Sequence, residues 1–294
     1  MKVLLLGSTG MAGSALKKSL KDRGVSVIGI ARTNSDYDCD LSKESNLNHI
    51  LNMFNYDSII NSAALVDVDY CEKNSLESWI INSKLVSILA SWSSKKKIPF
   101  LQISTDHFYD YGDNSSHKEE DKICCVNEYS RHKYAAEAFA LTSKNSLILR
   151  TSLLGSRVSK ENIGLVEWAI SNLSKNKKIK LFKDAWTSSI DVDTFADIAL
   201  RLLLDKKSYG ILNVAASEVY SKEQLIRSLA DKLSLNHSQC ESVSIKSYFS
   251  NRPNCLGLDV SKVETILDLK MPSMNDVCLS LISQLKLDST ANSL

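Results

Sequence analysis

The sequence predicts an α/β chain built on a doubly wound parallel sheet, with a smaller, discontinuous α+β domain towards its C-terminal end. Three observations carry that prediction. Short, almost continuous apolar runs alternate with helical stretches through the first 150 or so residues. A glycine cluster sits where the first run gives way to the first helix. With 294 residues and 44% apolar content, the chain is long enough for one large core or two unequal ones.

The strand candidates are Val3–Leu6, Val25–Ile30, Ser58–Ile60, Pro99–Ile103 and Leu147–Leu149. Each is short and apolar on both alternating faces, as strands buried on both sides of a parallel sheet must be. Between them, helical periodicity is expected over Met11–Asp22, Lys43–Met53, Leu76–Lys95 and Tyr129–Leu141. From Leu153 the alternation loosens. Helices are expected near Asn162–Leu173, Thr194–Leu204, Lys222–Leu233 and Met274–Leu285, with strands at Ile179–Phe182, Ile211–Val214 and Ser242–Ile245. The expected division is a dinucleotide-binding domain over 1–152 plus about 190–214, and a substrate domain over 153–189 plus 215–294.

Composition narrows the function classes. A formal charge of +2 gives no electrostatic case for nucleic acid or a membrane surface. No apolar run approaches the roughly 20 residues that span a bilayer. The opening Met1–Leu6 run reads as a buried strand and not as a signal sequence. The seven cysteines are scattered, with no Cys-x-x-Cys. They read as reduced structural thiols of a cytoplasmic protein, and no metal site is expected.

The segment Gly7-Ser8-Thr9-Gly10-Met11-Ala12-Gly13 has the spacing G-x-x-G-x-x-G. Small residues at a strand-to-helix junction permit a tight turn and close approach of a pyrophosphate. The helix N-terminus then supplies amide hydrogens and a favourable dipole. This is a Rossmann-type signature, although a plain strand–helix turn also favours glycine. Next to it, the second strand ends Ile30-Ala31-Arg32-Thr33-Asn34, with no acid until Asp36. An acid there would bind a ribose 2′-hydroxyl, whereas Arg32 suits a 2′-phosphate. NADP(H) is therefore favoured over NAD(H), the bland reading of Arg32 being a surface arginine. Asp40 and Leu41 are placed to approach the adenine.

Tyr129-Ser130-Arg131-His132-Lys133 puts a phenol and an ammonium on one helix face. A free phenol has a pKa of about 10, and a neighbouring ammonium lowers it towards neutrality. The pair is a sensible proton donor for the reduction of a carbonyl, though Tyr-x-x-x-Lys also arises by chance on solvated helices.

Taken in order, these motifs resemble the extended short-chain dehydrogenase/reductases, and among them the dTDP-4-dehydrorhamnose reductase-like branch. The likeness runs through the glycine turn, Asn61-Ser62-Ala63-Ala64, Val68-Asp69-Tyr70-Cys71-Glu72 and Asn82. It continues through Ser104-Thr105-Asp106, Tyr129–Lys133 and Arg150-Thr151-Ser152, then Asp184, Arg252-Pro253 and Leu258–Lys262. The resemblance implies reduction of a 4-keto-6-deoxy nucleotide sugar in polysaccharide precursor synthesis. Thr105 would align the carbonyl, Tyr129 would protonate the alkoxide, and Lys133 would bind the nicotinamide ribose. Ala63 and Ala64 would face the cofactor. Substrate contacts would fall on Asp106, His107, Leu153 and Arg252, and a homodimer through helices flanking the sheet is common among such proteins.

Each has a plainer alternative. Thr105 could cap a strand, with Ser104 as an alternative hydroxyl, Asp106 could form a turn and Arg252 a surface ion pair. Asp69 and Glu72 read as helix-start residues, and His107 reads first as an exposed loop residue.

The chain departs from the branch at Leu65-Val66, His107 and Leu153, where pocket aromatics and polar groups are usual. Sugar choice should change accordingly. Dehydratases of similar sequence carry a glutamate at the position of His107, so elimination of water is not expected. A nucleotide-sugar epimerase remains a rival reading, as does a non-catalytic NADP-binding regulatory subunit like that of methionine adenosyltransferase. An intact Thr105–Tyr129–Lys133 set favours the enzyme.

Overall fold

A computed structural model describes residues 1–111, 114–155, 164–204, 209–247 and 252–291, with side chains of the last helix described to Leu285. In chain order the first elements are β1 (Lys2–Leu6), α1 (Met11–Asp22), β2 (Ser26–Ala31), β3 (Tyr37–Asp38), α2 (Glu44–Met53) and β4 (Ser58–Asn61). There follow α3 (Val68–Lys73), α4 (Ser75–Trp79), a π-turn (Ile80–Lys84), α5 (Leu85–Lys96), β5 (Phe100–Ile103), β6 (Ser116–His117), α6 (Glu128–Ala140) and β7 (Ser146–Arg150). The remainder comprises β8 (Leu153–Leu154), α7 (Leu165–Leu173), β9 (Lys180–Phe182), β10 (Trp186–Thr187), β11 (Ile190–Asp191), α8 (Val192–Leu204) and β12 (Gly210–Asn213). The chain ends with β13 (Tyr220–Ser221), α9 (Lys222–Lys232), β14 (Glu241–Val243), β15 (Cys255–Leu258), α10 (Ser261–Leu267) and α11 (Met274–Ala291).

Seven strands form one sheet in the order β12-β7-β5-β4-β1-β2-β3, as the doubly wound prediction requires. All the residues of β4, β5 and β7 are buried, which explains their mostly apolar character; the exceptions, Ser58, Asn61, Gln102, Ser146 and Arg150, are polar side chains buried with them. Chain order reverses between β1 and β4, the place where open parallel sheets bind ligands beyond the carboxyl ends of their strands. The parallel register brings those ends level: Leu6 pairs with Ile30 and Asn61, and Asn61 pairs with Gln102. The turns after β1, β2, β4 and β5 therefore emerge along one edge. Leu4, Ile30, Ile59, Leu89, Phe100 and Ile148 are the centre of the core beneath them, each worth about 1.5–3 kcal/mol when fully buried.

Residues Met1–Thr105, Cys125–Arg150 and Ala196–Leu212 form one compact unit; Asp106–Cys124, Thr151–Phe195 and Asn213–Leu294 form a second. Sequence pattern left 106–124 in the first domain, but its strand β6 pairs with β15 in a sheet ordered β13-β10-β15-β6. Residues 190–195 likewise fall in the second unit, where β11 pairs with β8. That unit has its own core around Val166, Ala169, Leu225, Leu229, Val277 and Leu281.

Besides the unanticipated helices α3 and α10 and the short strands β6, β8, β10, β11, β13 and β15, three elements differ from expectation. The edge strand β3 is two residues long and half polar, too short to register as a pattern. The continuous helix expected over Leu76–Lys95 is broken by the π-turn at Ile80–Lys84. The helix expected near Asn162–Leu173 starts at Leu165, and its expected first residues, 162–163, lie outside the described residues. No helix among the described residues is long and apolar enough to cross a membrane.

Candidate active site

The glycine turn is as tight as its spacing predicts. Gly7 has φ +78°, a left-handed conformation that disfavours other residues, and its amide donates to the Ile30 carbonyl at 2.8 Å. A Cβ on Gly7 would lie 2.5 Å from the Ala63 amide nitrogen. A Cβ on Gly13 would fall on the Gly7 carbonyl, 2.8 Å from its carbon. Two backbone segments and a helix thus meet where only glycine fits. Gly10 caps α1 without a side-chain hydrogen bond, Met11 begins the helix, and no acid occupies its first turn. Thr9 is exposed on the turn. Ser8 Oγ is buried without a partner. Open amides, a favourable dipole and an unsatisfied hydroxyl suit a pyrophosphate.

Arg32 follows β2 directly and is exposed. The first acid after it, Asp36, is already committed. It accepts from the Gly29 amide at 2.8 Å and pairs with Lys17 at 2.7 Å, and these contacts hold its carboxyl below the usual range against the opposing effect of burial. Asp40 accepts from the Ser42 amide and hydroxyl at 3.0 and 2.7 Å, while Leu41 is buried. Ala63 and Ala64 are half-buried just beyond β4, and the Ala63 amide donates to Asn61 Oδ1 at 3.2 Å.

Helix α6 carries the Tyr129–Lys133 pair. Asn127 caps it, accepting from the Ser130 amide at 2.9 Å in a capping box. Glu72, read from sequence as a helix-start residue of its own segment, instead sits late in α3. It accepts from the Glu128 amide at 2.7 Å, placing a negative charge at the start of α6. Tyr129 is buried against Val68, Cys71 and Leu65. The Lys133 ammonium is buried and donates to the Ile103 carbonyl at 2.6 Å, at the carboxyl end of β5. Burial pushes its pKa down to about 8, and the Glu137 carboxylate pulls the other way. Thr105 is buried two residues beyond Ile103. The alternative hydroxyl, Ser104, is occupied: it donates to Glu137 at 2.6 Å.

Asn82 had entered only through family likeness. In the π-turn its side chain accepts from the Leu65 amide and donates to the Leu65 carbonyl, both at 2.9 Å. It grips the loop after β4 as a neighbouring strand would. An amide side chain inside a helical run, where its propensity is poor, was the available signal. A π-turn at such a place is a recurrent functional irregularity.

In the second unit, Asp106, His107 and Arg252 come together electrostatically around Lys222, a residue that sequence reasoning missed. The Lys222 ammonium is lowered in pKa by burial, raised by Asp106 and lowered by Arg252. His107 is half-buried and not the exposed loop residue expected; burial, then Lys222 and Arg252, push its pKa down to about 3. It is therefore a neutral imidazole. A lysine at the first position of α9, against the helix dipole, was the clue in the sequence. Leu153 stands on a different element, β8, opposite Ile190.

The sheet order, the glycine turn and the tyrosine–lysine helix define the extended short-chain dehydrogenase/reductase class, NAD(P)-dependent oxidoreductases. Within it the chain belongs to the RmlD substrate binding domain family, whose model matches residues 1–286. A probable low-salt glycan biosynthesis reductase of Haloferax volcanii is 27% identical over 94% of this chain and 95% of its own. The crystal structure of a hypothetical dTDP-4-dehydrorhamnose reductase from Sulfolobus tokodaii is 28% identical, with TM-score 0.82 over 93% of this chain and 97% of that one. The Bacillus anthracis dTDP-4-dehydrorhamnose reductase in complex with NADP shares the fold at TM-score 0.85 and 20% identity, over 96% of this chain and 98% of that one.

Proposed function

We propose that the protein reduces the keto group of a 4-keto-6-deoxy nucleotide sugar with NADPH. The observation that carries this reading is the Lys133 ammonium held on the Ile103 carbonyl, one helical turn from Tyr129 and two residues before Thr105. A nicotinamide cofactor supplies the hydride. The glycine turn formed by Gly7, Thr9, Gly10, Met11 and Gly13 takes the pyrophosphate; the Gly7 and Gly10 amides are already spent on the Ile30 and Gly7 carbonyls, so the donors are the open amides at the start of α1. Arg32 takes a 2′-phosphate, Asp40 and Leu41 the adenine side, and Ala63 and Ala64 line the approach to the cofactor.

Thr105 holds the carbonyl oxygen by its hydroxyl, and Tyr129 donates its phenolic proton as negative charge develops there. Lys133 stabilises the tyrosinate left behind. Its charge does this only while it is protonated, so activity should fall as pH rises through about 8, the depressed value of this lysine. Asp106, His107, Lys222 and Arg252 are assigned to the nucleotide-sugar. The neutral His107 offers one donor and one acceptor and leaves the positive charge to Lys222 and Arg252.

Oxidation of NADPH by purified protein with dTDP- and UDP-linked 4-keto-6-deoxy sugars tests the reading. At least one sugar should be turned over, and Tyr129→Phe should lower kcat by about 100-fold or more. Binding of NADPH without turnover of any sugar, unaffected by Tyr129→Phe, would point instead to a non-catalytic binding subunit.

A further inference from the structure

Glu137 lies one turn beyond Lys133, so Tyr129, Lys133 and Glu137 recur every four residues along one face of α6. Its carboxylate is buried and held by three donors. Arg150 grips it bidentately, Nε to Oε1 at 3.0 Å and Nη2 to Oε2 at 2.8 Å, and the Ser104 hydroxyl reaches Oε1 at 2.6 Å. Arg150 ends β7 and is itself buried. Ser104 follows β5, and its amide donates to the Leu149 carbonyl at 2.7 Å. The carboxylate therefore joins the ends of two strands to the helix that carries the proton-transfer pair.

An ion pair this deep is a poor device for stability alone. Desolvating both charges costs about as much as their attraction returns, and apolar replacements are often neutral or better. The position of this pair suggests another use. We propose that Glu137, clamped by Arg150 and Ser104, is a positioning residue that fixes both the Lys133 ammonium and the end of β5 bearing Thr105 in their working arrangement. The proposal rests on the roles given above to Lys133 and Thr105.

The electrostatics agree with the geometry. Burial favours the neutral amine of Lys133, while the Glu137 charge, together with the hydrogen bond to the Ile103 carbonyl, favours the ammonium. Other groups brought to α6 by its neighbours are engaged elsewhere. Cys71 of α3 lies beside Tyr129, Glu72 of α3 caps Glu128, and Ser78 of α4 hydrogen-bonds His132 at 2.9 Å. His132 also faces Glu128 at 3.3 Å, and Arg150 of β7 faces Glu137. Glu137 is thus the one carboxylate among the described residues that supports the charge of Lys133.

The test is a pH titration of the Lys133 ammonium by NMR in the full chain without substrate, comparing the parent protein with Glu137→Gln. Glutamine keeps the shape and one acceptor but removes the charge. The Lys133 midpoint should fall by about one unit or more, and the alkaline limb of kcat for sugar reduction should move down with it. Should the lone substitution prevent folding by stranding Arg150, Glu137→Gln with Arg150→Met removes both charges, and a smaller fall in the same direction is expected, since the like charge of Arg150 goes as well. A folded variant of either kind that keeps the parent midpoint overturns the proposal, even with a lowered thermal midpoint, since that is the mark of a purely structural pair. The titration needs no substrate. A shifted midpoint in a protein that reduces no sugar would therefore count against the reductase reading and leave the Glu137–Lys133 coupling standing.

Discussion

Replacing Gly13 by alanine tests the cofactor turn at its tightest point. The new methyl would lie 2.8 Å from the Gly7 carbonyl carbon and 2.9 Å from Ser8 Cα. Carbon atoms normally approach to about 3.5–4.0 Å, so the turn must retreat from α1 by about 1 Å. Both obstacles are backbone, and no flexible side chain can yield instead. Overpacking of this kind costs about 1–3 kcal/mol, which for a unit of this size lowers the thermal midpoint by roughly 2–10 °C. A displacement of about 1 Å in a ligand-positioning segment can cost about 100-fold, and NADPH affinity should fall on that order. Isothermal titration with NADPH and a thermal melt read the two effects separately. Gly10→Ala is the internal contrast. Its methyl would meet only the Gly7 carbonyl oxygen, at 3.4 Å, so the melt should stay near the parent while affinity drops through loss of close backbone approach. Gly13→Ala binding NADPH within a few-fold of the parent would refute the assignment of this turn to the pyrophosphate.

Three further outcomes are expected. Arg32→Ala should weaken NADPH binding by about 10-fold or more and NADH binding little, since a lost charge-assisted contact is worth about 1.5–3 kcal/mol; equal losses in paired titrations would remove Arg32 from cofactor choice. Asn82→Ala strands the Leu65 amide and leaves its carbonyl only the Cys71 thiol at 3.5 Å, a cost of about 1–3 kcal/mol, and hydrogen exchange at Leu65 should quicken while the core strands stay protected. The folded protein holds His107, His117 and His132 below their ordinary values, chiefly by burial. The unfolded chain then binds more protons below about pH 6.5, so the stability present above that pH is lost as pH falls. His107 alone should contribute about 2 kcal/mol of that loss between roughly pH 6.5 and 5. A urea midpoint that is flat across this range, or unaltered in slope by His107→Gln, would contradict it.

The first unit was readable because its signals are local. The central strands of the sheet, β1, β4, β5 and β7, are almost wholly buried and so carry largely apolar runs. The glycine turn and the Tyr129–Lys133 pair each occupy a few consecutive residues. The second unit was less so. Its sheets are built from strands of two to four residues, too short for a period to show. Segment 106–124 looked like a loop of the first domain because its partner, β15, comes some 140 residues later in the chain.

The sequence by itself determined the sheet, the glycine turn proposed for the dinucleotide and the Tyr129–Lys133 pair proposed for the proton, because each is set by neighbours along the chain. Tertiary structure alone decided what those groups can do. It set the ammonium of Lys133 on the Ile103 carbonyl, took Ser104 out of contention by binding it to Glu137, and committed Asp36 to Lys17 and Gly29. It also gathered His107, Arg252 and the unforeseen Lys222. The physical reason is the same in each case. A titratable group takes its charge and direction from burial and from partners that folding brings near, many of which lie far from it along the chain.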